Sequence, residues 1–171
     1  WNALNNQKWP GIVENYLDNA NILIKNCVIE SDGFTGIHIS SYNGVTFKNN
    51  DFESKFESGS DNDINYGASA KFLYCKNIKF IENNFRGDHA TLMWIQEVKN
   101  MLVMNNVFWN TNKYQQKQGT HVPAAMRIVT QWNPTQNIGF YYNTYFFADN
   151  GNNWSASKYN FLHFSHTVSG G

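Results

Sequence analysis

Hydrophobic and polar positions alternate along five nine-residue segments that share one pattern. In each segment, apolar side chains stand at the second, fourth and ninth places, and Asn stands at the seventh place in four of the five copies. The segments begin at residues 21, 44, 77, 100 and 137. Alternation with a period of two is typical of a strand with one buried face. Each segment therefore predicts a strand, a sharp bend at the Asn and a second short strand.

The spacing between the five segments predicts a solenoid. Successive copies begin 23, 33, 23 and 37 residues apart. A base period near 23 residues with two insertions is typical of a coil that repeats along an axis, with loops that grow from one corner. We place the insertions near residues 53–68 and 110–122, and we expect residues 1–171 to form a single segment of such a solenoid.

The recurrent Asn has a structural explanation. Asn tolerates the left-handed backbone conformation that a sharp bend needs. Its amide can also bond to the Asn of the next coil, about 4.8 Å away. We therefore expect a stacked column formed by Asn50, Asn83, Asn106 and Asn143, with Cys27 in the remaining position.

A third strand precedes each nine-residue segment and carries the candidate functional residues. Its outward positions should stack in a single file, which consists of His38, Lys71, Trp94, Arg127 and His163. Apolar neighbours on both sides of each position should face inwards, as Met93 and Ile95 do around Trp94. Lys71 and Arg127 would then lie two coils, roughly 10 Å, apart with an exposed Trp94 between them. Gln96 belongs to the next outward column.

Composition and charge exclude several classes of protein. Thirteen Lys and Arg residues balance thirteen Asp and Glu residues, so bulk charge does not favour a nucleic-acid partner. No apolar run approaches the roughly 18 residues of a membrane span. Aromatic residues make up 16% of the chain, which is unlike a disordered sequence. Cys27 and Cys75 fit neither a disulfide framework nor a metal-binding spacing.

Together, the three short strands per coil, the period near 23 residues and the Asn bend between the second and third strands resemble a known architecture. It is the right-handed parallel β-helix of the pectate-lyase-like superfamily, and the resemblance covers roughly residues 12–166. It implies an all-β solenoid of about five to six coils. Because the last coil is unfinished, we expect further coils of a longer β-helix. The superfamily includes polysaccharide lyases, glycoside hydrolases, epimerases and glycan-binding phage or surface proteins.

The resemblance implies an exported or surface-displayed protein that acts on an acidic polysaccharide. In the superfamily's lyases, a base removes the proton next to a uronate carboxylate, and a cation stabilises the charge that develops. Lys71 or His38 is the candidate base, and Arg127 is the candidate cation. The candidate substrate-binding residues are Trp94, His163 and Gln96. The indole of Trp94 can stack on a sugar ring, and the other two residues occupy outward positions on the same sheet.

Two alternatives remain open for this chain. A glycoside hydrolase would need carboxylates on the outward strand positions, and none stands there. A non-catalytic adhesin, fibre or phage-appendage segment that binds glycan or acts as a spacer suits the neutral charge, the abundant Asn and the aromatic content equally well. In that case, the cations on the exposed strands would simply be solvated.

Some lyases of the superfamily bind Ca²⁺ through carboxylates on this sheet. The nearest acids here are Asp61, Asp63 and Asp88 in loops and Glu97 at a turn. A Ca²⁺ site therefore stays open as an alternative, but the outward strand positions do not support it, and we assign no metal ligands.

Overall fold

The described part of the chain consists entirely of short parallel strands and the turns between them. The computed structural model describes residues 21–31, 35–54, 68–87, 91–110, 124–130, 134–147 and 160–166. Fifteen strands of four to seven residues form three parallel sheets of five strands each. No helix in these ranges is long and apolar enough to cross a membrane.

The strands rotate through the three sheets in chain order, so that three successive strands complete one coil. Sheet 1 contains β1 (Ile22–Lys25), β4 (Asn43–Lys48), β7 (Lys76–Ile81), β10 (Lys99–Met104) and β13 (Gln136–Tyr141). Sheet 2 contains β2 (Val28–Ser31), β5 (Asp51–Ser54), β8 (Asn84–Gly87), β11 (Val107–Asn110) and β14 (Thr144–Phe147). Sheet 3 contains β3 (Thr35–Ser40), β6 (Ala68–Leu73), β9 (Thr91–Gln96), β12 (Ala124–Thr130) and β15 (Asn160–His166).

The pairing register confirms the repeat that the sequence predicts. Ile22 pairs with Val45, which in turn pairs with Ile78, so equivalent places of the nine-residue segments lie one above another. The described chain is therefore an all-β parallel β-helix of five coils. The predicted insertions near 53–68 and 110–122 lie largely outside the described residues, because residues 55–67 and 111–122 are not among them.

The core consists of aromatic rings that repeat from coil to coil. Phe47 stacks on Phe80 with ring centroids 4.8 Å apart, and Phe85 stacks on Phe108 at the same distance. The stacking distance matches the spacing of about 4.8 Å between hydrogen-bonded strands, so each ring lies over its equivalent in the next coil. Phe164 was predicted to face inwards, but it is 69% exposed on β15, which pairs with only one other described strand.

A buried ladder of Asn side chains joins the coils at the turn between sheets 1 and 2. The Asn83 Nδ2 atom donates hydrogen bonds to Asn106 Oδ1 at 3.0 Å and to the Phe47 carbonyl at 3.1 Å. The Asn83 Oδ1 atom accepts hydrogen bonds from both the backbone N–H and the side-chain Nδ2 of Asn50. The pattern continues at Asn143, so the predicted Asn column is confirmed. Cys27 also joins it, since its backbone N–H donates to Asn50 Oδ1 at 3.0 Å.

The left-handed residue of each turn is the one before the ladder Asn. Asn26, Asn49, Glu82, Asn105 and Tyr142 have positive φ, between 52° and 59°. The ladder residues themselves do not, so the prediction that the stacked Asn takes the left-handed conformation is wrong. The two functions of Asn are divided between neighbouring positions. The first residue, which is Asn in three of the five coils, bends the backbone, and the ladder Asn that follows turns its amide into the interior, where buried polar atoms need hydrogen-bond partners.

We expect Asn83→Ala to lower the free energy of unfolding by about 3 kcal/mol, because it removes the hydrogen-bond partners of several buried polar groups at once. Asn84→Ala is the matched control. The Asn84 side chain is exposed and donates one hydrogen bond to Asp51, so its loss should cost less than about 1 kcal/mol. Urea denaturation followed by circular dichroism measures both values. Equal costs for the two variants would contradict the structural role of the ladder.

Candidate functional site

The outward file predicted on the third strand of each coil is present on sheet 3, and we call it the outer column. His38 pairs with Lys71, Lys71 with Trp94, Trp94 with Arg127, and Arg127 with His163. The backbone of His163 is aligned with the others, but its side chain lies outside the described residues. The structure therefore brings four of the five predicted side chains into one row along the solenoid axis.

Strand alternation sets the direction of these side chains. Met93 and Ile95 lie in the central core, whereas Trp94 belongs to a separate small cluster with Ala68, Val129 and Leu73. The alternation on β9 therefore keeps the indole outside the core. A register shift of one residue would place it inside.

Trp94 lies between two cations and is buried by its neighbours. The Lys71 Nζ atom lies 4.9 Å from the centroid of the indole, and the Arg127 Cζ atom lies 4.4 Å from it. Only 5% of Trp94 is exposed, so the prediction of an exposed indole is wrong. The charged ends of the long side chains on the flanking coils lie over the ring. Trp94 separates and holds the two cations, and it does not offer a free face for a sugar ring.

Gln96 is also buried, and its amide is engaged with protein groups. Its Oε1 atom accepts a hydrogen bond of 3.4 Å from the indole N–H of Trp94. Its Nε2 atom donates a hydrogen bond of 3.1 Å to the hydroxyl oxygen of Tyr74. Gln96 was predicted to contact the substrate, whereas these contacts fix the orientation of the indole within the outer column.

Two further buried polar residues lie beside Gln96. The sequence did not identify Tyr74, and it pointed to Glu97 only as an acid considered for Ca²⁺. Tyr74 and Glu97 occupy equivalent turn positions in successive coils, both with a φ of 54°. Glu97 is 1% exposed, and Tyr74 is buried as well. Burial raises the pKa of Tyr74, and the neighbouring Glu97 carboxylate raises it further. Tyr74 and Glu97 each directly follow the third strand of their coil. Extending the sequence repeat by one residue beyond that strand would have aligned them.

Burial and like charge lower the pKa values of Lys71 and His38 in the outer column. Desolvation lowers the pKa of Lys71, and the positive charge of Arg127 lowers it further. Desolvation also lowers the pKa of His38, with a second contribution from the charge of Lys71. At neutral pH, His38 is therefore neutral and Arg127 is charged. A lowered lysine pKa increases the fraction of neutral amine, which is the form that can accept a proton.

The described residues contain no group of three or more His, Cys, Asp or Glu side chains that could hold a metal ion. Three of the four acids considered for Ca²⁺ (Asp61, Asp63 and Asp88) lie outside the described residues. The fourth, Glu97, is buried next to Tyr74.

We expect His38→Gln to flatten the loss of stability below pH 6.5. The folded-state pKa of His38 lies below its ordinary value of 6.5, so the unfolded state takes up the proton first as the pH falls. The free energy of unfolding of the wild-type protein should therefore fall faster than that of the variant between neutral pH and about pH 5. Urea denaturation at several pH values measures the free energy of unfolding of both proteins. In a Lys71→Gln background, the pH-dependent loss of stability caused by His38 should be smaller, because the charge of Lys71 is one cause of the lowered His38 pKa. Parallel curves for wild type and His38→Gln would refute the lowered pKa of His38.

Comparison with known proteins agrees with this architecture. The family described as "right handed beta helix region" matches residues 11–165. No curated protein and no solved structure matches the chain. The family match covers most of the sequence and includes all five described coils. The chain belongs to the right-handed β-helix family.

Proposed function

We propose that this protein binds a uronate-containing polysaccharide along the outer face of sheet 3 and cleaves it by β-elimination. The observation that supports the proposal is the register of Lys71 and Arg127 on the two faces of Trp94, with the pKa of Lys71 lowered. An amine that loses its proton readily and a guanidinium that keeps its charge are the two groups that this reaction needs.

The shape and charge of the outer column suit an extended anionic chain. The column follows the solenoid axis and presents one side chain per coil, at intervals of about 4.8 Å. Arg127 can hold a carboxylate through two parallel hydrogen bonds, and both cations attract anions strongly in a partly desolvated setting. The described outward residues of this column include no carboxylate that would repel the substrate.

The proposed reaction assigns a separate role to each group. Neutral Lys71 removes the proton from the ring carbon next to the uronate carboxylate, and Arg127 stabilises the negative charge that spreads onto that carboxylate. The electron pair of the broken C–H bond forms a carbon–carbon double bond as the bond to the glycosidic oxygen breaks. The Lys71 ammonium returns the proton to the departing oxygen. His38, neutral and next to Lys71, can hydrogen-bond a substrate hydroxyl without competing for the anion.

A second candidate function is non-catalytic glycan binding, or a purely structural role. The burial of Trp94 favours it, because cation–π contacts on both faces of a buried indole stabilise the sheet without any ligand. In either case, acidic polysaccharides of this kind lie outside cells, which supports a secreted or cell-surface location.

We expect Lys71→Met to lower kcat/KM at least about 100-fold on the polysaccharide that the wild-type protein cleaves, because it removes the base but keeps the apolar stem over Trp94. The substrates to test are alginate, polygalacturonate, heparin and chondroitin sulfate, and ultraviolet absorbance of the unsaturated product measures cleavage. Lys79→Met on sheet 1 is the matched control, since it removes an exposed lysine elsewhere. Full activity of Lys71→Met would exclude Lys71 as the base.

The same assay separates the two candidate functions. If no polysaccharide gives an absorbance change, but one of them binds and Arg127→Gln abolishes that binding, the protein is a glycan-binding module. If the protein neither cleaves nor binds any of the four polysaccharides, cleavage and glycan binding are both refuted for these substrates, and the purely structural role is the one that remains.

For an active enzyme, we expect kcat/KM to rise with pH until Lys71 is mostly neutral. Its pKa lies below the ordinary value of 10.5, so the rise should level off below that pH. Arg127→Gln removes one of the two causes of the lowered pKa and should move the rise to higher pH. A pH–rate profile that is unchanged in Arg127→Gln would show that Lys71 is not the group that titrates.

A further inference from the structure

The outer face of sheet 2 carries a second row of side chains whose chemistry differs from that of sheet 3. The row runs in register through successive coils and consists of Glu30, Glu53, Arg86, Trp109 and Phe146. Its two aromatic members are 47% and 50% exposed, although each directly follows an aromatic residue that packs in the core. Strand alternation thus directs these two large apolar side chains to solvent.

The exposed aromatic residues form a pair across neighbouring coils. The ring centroids of Trp109 and Phe146 are 5.7 Å apart, and the rings are tilted by 42°. Exposing a paired Trp and Phe to water is unfavourable, and such patches commonly mark binding surfaces. The tilt means that groups stacked on the two rings would be rotated relative to each other.

A surface cavity lies on the same face, towards the first coils. It has a volume of about 180 Å³ and is lined by Val28, Asp51, Phe52, Glu53, Asn84 and Arg86. The Asn84 Nδ2 atom donates a hydrogen bond of 2.7 Å to Asp51 Oδ1, which holds both polar side chains in place at the rim. Carboxylate, amide and guanidinium groups therefore continue the row where the aromatic pair ends. The whole row spans four coil intervals, about 20 Å.

We propose that this face of sheet 2 is a second glycan-binding surface, which takes an uncharged polysaccharide chain. Pyranose rings present an apolar face of C–H groups that stacks on aromatic side chains, and their hydroxyls hydrogen-bond to carboxylate, amide and guanidinium groups. A sugar unit is about as long as one coil interval, so successive sugars can follow successive coils. The tilt between the rings suits a twisted chain in solution rather than a flat crystalline surface.

The charges of this face select against an acidic chain. Glu30, Asp51 and Glu53 outnumber Arg86, which is the single cation among the described outward residues of sheet 2. A uronate polymer, which would suit the cations of sheet 3, would be repelled by these carboxylates. The inference therefore goes beyond the proposed function, and it concerns a different sheet and a different class of sugar.

The test is isothermal titration calorimetry of the full chain with cellohexaose, mannohexaose and xylohexaose, and with oligogalacturonate as the acidic comparison. We expect at least one neutral hexaose to bind, and oligogalacturonate not to bind when Lys71 and Arg127 of sheet 3 are replaced by Gln. Trp109→Ala and, independently, Phe146→Ala should each weaken binding of that hexaose about tenfold or more. Tyr142→Ala is the matched control, because Tyr142 is an exposed aromatic residue at the turn before sheet 2.

Three results would overturn the inference. The first is that none of the neutral hexaoses binds. The second is that Tyr142→Ala weakens binding as much as the two variants of the aromatic pair, while circular dichroism shows all of them folded. The third is a dimer in sedimentation analysis that Trp109→Ala dissociates, together with no hexaose binding, since the face would then join two copies of the chain. Because binding is measured without turnover, failure of the sheet 3 proposal leaves these outcomes unchanged.

Discussion

The structure depends on one constraint, which is that every coil must return the chain to the same register. The Asn ladder makes this constraint strict. The side chain of Asn83 bonds to Asn residues of the coils on both sides and to the Phe47 carbonyl, and all of these groups are buried. A coil that slipped by one residue would leave these groups without partners and would also turn its apolar face to water.

The same register creates the rows of side chains on the outside. A solenoid stacks equivalent positions at about 4.8 Å, which is close for like charges. On sheet 3, an indole stands between Lys71 and Arg127, so the two cations are one coil further apart and each faces the π-system of Trp94. Their remaining repulsion, added to desolvation, lowers the pKa of Lys71. The geometry thus places a lysine of lowered pKa near an arginine that stays charged. These are the groups that we propose as the base and as the cation that stabilises the developing charge.

Because each coil contributes a separate strand to each sheet, the outer faces can differ in chemistry. Sheet 3 presents cations around a buried Trp94, whereas sheet 2 presents acids, one cation and the exposed pair of Trp109 and Phe146. Neither face alters the core, since the inward residues alternate with the outward ones on every strand. One β-helix can therefore carry two outer faces that differ in charge.

The solenoid, the pairing register and the identity of the outer column could all be predicted from the sequence, because a repeat of period two within a coil of about 23 residues leaves few other ways to bury the apolar positions. The sequence also identified the Asn ladder, although the left-handed residue proved to be the preceding one. The environment of each side chain follows from the contacts between coils. Trp94 is buried with Lys71 and Arg127 over its ring, and the hydrogen bonding of Gln96 depends on Tyr74 in the neighbouring coil. Those contacts join residues that are 22 to 33 positions apart, so local patterns of polarity do not encode them.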